Sequence, residues 1–73
     1  MKEEKIKKIA GEEVKKIKRL LTLGAIDRNL VTFDLFMEGV IEDFNIPKDQ
    51  HELLESELRN AMKVHNLKLL ENN

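Results

Sequence analysis

The chain has 73 residues, of which 41% are hydrophobic and 37% charged, with a formal net charge of −1 and no cysteine. That length limits it to one domain, spanning 1–73, with a core of modest size. Disulfides are excluded, the composition is neither that of a disordered chain nor that of a membrane protein, and no apolar run is long enough to span a bilayer. The N-terminus also lacks the apolar block of a signal peptide, so cytoplasmic residence is the default expectation. The charge is unevenly spread. Residues 1–28 carry nine basic and five acidic side chains, and residues 29–73 carry four basic and nine acidic. Halves of opposite sign can attract each other within a chain or between chains.

The first predicted helix runs from about residue 2 to residue 23. Ile6, Ile9, Ala10, Val14, Ile17, Leu20 and Leu21 recur at helical spacing and fill an arc of roughly 140°. Glu3 with Lys7, Glu4 with Lys8 and Glu12 with Lys16 are i,i+4 pairs in the favourable order. Gly11 falls on the polar side. Gly24 stands where a left-handed residue ends a helix, and Lys18 with Arg19 suits the negative end of the dipole. Residues 25–31 are open to three readings: a loop, an extra helical turn capped by Asp27, or an extended link.

Thr32 reads as the N-cap of a second helix over 33–44. Phe33, Phe36, Met37, Val40, Ile41 and Phe44 form its apolar stripe, which contains every aromatic residue of the chain. This cluster is either the centre of the core or a docking surface, and the core reading is the stronger. Leu35 points the opposite way, exposed or making a second contact. The segment Asn45-Ile-Pro-Lys-Asp49 ends this helix, because Pro47 donates no backbone hydrogen bond and biases Ile46 towards extended backbone. Asp49 followed by Glu52 resembles a capping box and opens a third helix over 50–70. Leu54, Leu58, Ala61, Met62, His65 and Leu69 share one face of it, flanked by Leu53 and Val64. Leu67 and Leu70 lie off the stripe, so the last turn is apolar nearly all round.

Three amphipathic segments define an all-α fold, a small three-helix bundle of long-short-long pattern. One 73-residue chain buries such wide stripes poorly, so dimerisation is expected to complete it. Leu53, Val64, His65, Leu67 and Leu70 are the expected dimer contact, and the first helix of one chain could meet acidic segments of the other.

No catalytic constellation is legible. The hydroxyl residues are Thr22, Thr32 and Ser56, and the glycines are too dispersed to cradle a phosphate. His51 with Glu55 four residues on is too sparse for a structural zinc and reads as a solvated first turn. His65 reads as a core or interface histidine, with a pH switch at a subunit contact as the sharper alternative. No enzymatic activity, cofactor or metal is expected. The first expectation for function is therefore a small non-enzymatic protein–protein interaction module, a regulator or assembly factor acting by helix packing. The second is a nucleic-acid-associated protein using Lys8, Lys15, Lys18 and Arg19 as an anion-binding face. Interleaved Glu4 and Glu12 weaken that alternative. Acidic residues at the openings of helices two and three argue against a recognition helix. A membrane-surface role is not expected, since the lysine-rich helix has no aromatic anchor.

Overall fold

The computed structural model of the chain describes residues 1–71. It is an up-down-up bundle of three helices: α1 (Glu3–Thr22), α2 (Phe33–Phe44) and α3 (His51–Val64). α1 and α3 run parallel. The Gln50 side-chain amide donates to the Met1 carbonyl at one end of this pair. At the other, the Lys18 ammonium donates to the His65 carbonyl at 2.5 Å. α2 runs the other way, starting with Phe33 beneath Arg59 of α3 and ending near the start of that helix. The backbones of α1 and α3 approach each other most closely. Gly11 of α1 and Ala61 of α3 line a shallow groove along this pair.

The core contains Ile6, Val14, Phe33, Val40, Leu54 and Leu58, all essentially inaccessible, and no polar or charged residue is buried among the described residues. Each full burial of such a side chain contributes roughly 1.5–3 kcal/mol. The radius of gyration is 11.7 Å, close to the ~11 Å of a compact domain of this length.

Local signals explain the boundaries. Thr32 caps α2, its Oγ1 accepting from the Leu35 amide at 3.1 Å. Gly24, Asn45 and Asn66 all have left-handed backbone, with φ of 75°, 52° and 53°. After each, the next amide reaches back five residues: Ala25 to Leu20, Ile46 to Ile41 and Leu67 to Met62. α1 and α3 therefore end in Schellman motifs, and α2 ends in a related left-handed cap in which the Asn45 amide also bonds the Ile41 carbonyl; asparagine replaces glycine in two of the three. Residues 25–31 contain a 3-10 turn over Arg28–Leu30, capped by Asp27, whose Oδ1 accepts from the Asn29 amide at 2.9 Å.

Three expectations need correction. α3 ends at Val64 and not at 70, because Asn66 takes the left-handed conformation that stops it. At 14 residues it is little longer than α2 with 12, so the pattern is one long helix and two short ones. The Asp49–Glu52 capping box does not form. A 3-10 turn over Lys48–Gln50 leads directly into α3, and neither Pro47 nor Gln50 caps with a side chain. In α1, Lys16 pairs with Glu13 at 3.5 Å, one turn back, and not with Glu12.

The residues freed from α3 form a strap. Phe33 donates its amide to the Leu70 carbonyl at 2.7 Å, within a short parallel bridge between Thr32 and Leu70. Arg28 Nη1 donates to the Lys68 carbonyl at 3.1 Å. Arg59 reaches Glu71 at 3.0 Å. Leu67 and Leu69 are buried beneath this segment.

Candidate interaction surface

The phenylalanine-rich stripe divides. Phe33, Phe36 and Val40 are buried, and Met37 and Ile41 are half-buried against the same core. Phe44, at the end of α2, is 38% exposed. Most of this cluster therefore holds the molecule together, and only its last ring reaches the surface.

The residues expected at a dimer contact do not form one patch. Leu67 is buried in its own chain and cannot meet a second one. Leu53 is half-buried against the core. Leu70 is bound through its carbonyl to Phe33, with its side chain partly exposed. Val64, 80% exposed, and His65 line the groove between α1 and α3 with Lys7 and Asn60. For Leu67 and Leu70 the cause is the helix stop at Val64, after which residues 65–70 no longer follow helical phase.

Lys8, Lys15 and Arg19 are all exposed along α1. Lys18 leaves that set, since its ammonium is bound to the end of α3. His51 is equally committed. Its Nε2 lies 3.1 Å from the Ile46 carbonyl. A carbonyl only accepts, so Nε2 carries the proton and ties the start of α3 to the end of α2. Among the described residues, no three histidine, cysteine or carboxylate side chains gather as a metal site would require.

Two further open grooves lie among the described residues. One, of about 410 Å3, lies between the end of α3 and the strap and is lined by Arg59, Met62, Lys63, Leu67 and Lys68. Arg59 stacks over the Phe33 ring with its guanidinium 3.9 Å from the centroid. Its pKa is raised above the usual arginine value, chiefly by the hydrogen bond to Glu71. The other groove, of about 190 Å3, lies between α1 and α2. Leu20, Ile26, Leu35 and Gly39 line it, and Glu13, Lys16 and Asp43 form its rim. Here apolar side chains stand in solvent: Leu35 is 56% exposed. Leu23, three residues beyond Leu20, is 73% exposed, and Leu30 in the α1–α2 connection is 71% exposed. Isolated exposed leucines such as Leu23 and Leu30 are ordinary, but an exposed leucine on the lining of a concave apolar surface, as Leu35 is, marks a candidate interaction site.

This surface is only partly legible in the sequence. Leu35 stood out as an apolar residue on the polar side of its helix. Leu23, Ile26 and Leu30 carried no such signal, because an irregular connection has no periodicity to violate. No family model, curated protein or solved structure matches this chain.

Proposed function

We propose that the chain is a small non-enzymatic protein–protein interaction module, a regulator or assembly factor that works by helix packing, and that it acts in the cytoplasm. The observation that carries this reading is the α1–α2 groove lined by Leu20, Ile26 and the exposed Leu35. An apolar groove between two helices, bounded by charges of both signs, is suited to receive a partner helix or helix pair. Burying such leucines on association removes apolar surface from water, the main favourable term in protein assembly.

A photo-crosslinking amino acid at position 35 tests it. The expected result is one defined protein adduct in cells, absent when the probe stands at the exposed Glu52 and lost from the position-35 probe on Leu20→Asp. Equal, unselective labelling from both positions would refute the reading.

A second reading is favoured by one observation: Lys8, Lys15 and Arg19 are exposed, and none forms an ion pair within the described residues. If these cations track nucleic-acid phosphates, binding should fall steeply with salt, and Lys8→Glu with Lys15→Glu should abolish it.

A further inference from the structure

We infer that the groove between the end of α3 and the strap binds an extended acidic segment of a partner protein, with carboxylate and aliphatic side chains in alternation. This is a second surface, separate from the α1–α2 groove, and its mode of binding goes beyond helix packing.

The backbone of the strap presents an unused edge. In an extended segment, the N–H and C=O of one residue point to one side and those of its neighbours to the other. The Lys68 and Leu70 carbonyls accept from Arg28 and from the Phe33 amide, so their edge faces the α1–α2 connection. The Leu67 amide donates to the Met62 carbonyl at 2.8 Å, so the opposite edge faces α3. Leu69 belongs to that second edge and lines the groove. Its N–H and C=O form no hydrogen bond within the described residues, although the residue is only 8% exposed. A donor and an acceptor side by side are what a second extended chain pairs with. A helix satisfies its own backbone and would leave both unmatched.

Side chains define the chemistry of the occupant. The groove is lined by three cations, Arg59, Lys63 and Lys68, and by one carboxylate, Glu71. Arg59 is matched to Glu55 and Glu71. Lys63 on α3 and Lys68 on the strap are exposed, and neither forms an ion pair within the described residues. The lining therefore carries two uncompensated positive charges, which suit carboxylates. Met62 and Leu67, both buried, supply its apolar floor. Side chains of an extended chain alternate, so aliphatic ones can turn to this floor while the carboxylates between them reach the lysines. The volume of about 410 Å3 lies within the roughly 300–1,000 Å3 range of ligand sites. None of the lining residues is aromatic, so the bases of a nucleic acid would find no stacking platform.

Titration of the full 15N-labelled chain with a blocked peptide, Glu-Val-Glu-Leu-Glu, followed by amide NMR, provides the test. Shifts should centre on residues 62–71. At saturation the Leu69 amide should exchange with solvent deuterium at least about tenfold more slowly, because it has gained an acceptor. The Gln-Val-Gln-Leu-Gln counterpart should bind at least about fivefold more weakly. Lys63→Glu with Lys68→Glu should abolish binding of the acidic peptide and admit Lys-Val-Lys-Leu-Lys in its place. Both positions are exposed, and circular dichroism checks that the variant folds. An absence of shifts at millimolar peptide would overturn the inference. So would equal binding of the glutamine counterpart, or shifts around the groove with an unchanged Leu69 amide. Tighter binding of a single-stranded oligonucleotide, or of phosphatidylserine vesicles, through the same two lysines would also overturn it and reassign the cations to phosphates. Adducts from position 35 report on the α1–α2 groove alone, so either surface can fail while the other stands.

Discussion

Phe33 joins three parts of the molecule through one residue. Its ring is 1% exposed in the core, its face supports the Arg59 guanidinium, and its amide donates to the strap at Leu70. The ring was legible as part of an apolar stripe, but the stripe could not rank its members. Phase around a helix says which side a residue faces, not how far along that side the neighbouring helix extends. Phe44 shares the phase of Phe33 and is nevertheless 38% exposed at the helix end. Phe33→Ala should therefore destabilise by about 3–5 kcal/mol, the range for emptying a filled aromatic site. Phe44→Ala should cost clearly less, since part of that ring already meets water. Urea denaturation of both variants checks the ranking, and similar losses would mean that the two rings share one environment. Arg59→Ala should fall below Phe33→Ala, because its ion pairs to Glu55 and Glu71 are solvent-exposed and screened.

At the scale of an element, helix ends decide more of this fold than helix interiors. The three apolar periodicities place the helices correctly, and Thr32 and Gly24 mark a start and a stop that the structure retains. The third stop was missed because asparagine is an ambiguous signal, tolerated inside a helix as well as in the left-handed region. A second cue stood beside it. The run Leu67-Lys68-Leu69 alternates with a period of two, as extended backbone does, and the apolar last turn was a helix pattern already breaking down. Glycine substitutions separate interior from end. Gly11 is helical, and an added Cβ would meet nothing within 4 Å. Gly11→Ala should therefore stabilise by about 0.5–1 kcal/mol. Gly24 has equal space but a φ of +75°, so Gly24→Ala should destabilise by about 1 kcal/mol or somewhat more. Thermal melts of the pair should move in opposite directions. Melts moving the same way would show that the backbone at residue 24 is not held left-handed.

For the whole molecule, the strap changes what closes the bundle. The sequence left three wide apolar stripes and suggested that a second chain must cover the remainder. Instead the chain covers part of it with its own C-terminal segment: Leu67 and Leu69 are 5% and 8% exposed. A chain of this size is stable by only about 4–11 kcal/mol, at roughly 0.05–0.15 kcal/mol per residue. Two buried leucines supply about 3–6 kcal/mol of gross burial energy. They are joined by the Phe33–Leu70 backbone bond and the Arg28–Lys68 contact. Loss of the strap should thus consume most of the net stability. A chain ending at Asn66 should lose most of its helical circular dichroism at 25 °C or melt tens of degrees lower. Leu69→Asp in the full chain should act in the same direction by placing a charge in an apolar site. Leu70→Asp should be much milder, because that position contributes mainly its carbonyl while its side chain is 46% exposed. Equal tolerance of Asp at 69 and 70 would show that the segment lies loosely on the surface. The burden of closing the core would then return to a second chain, and the α1–α2 groove would no longer be the main apolar surface left for a partner.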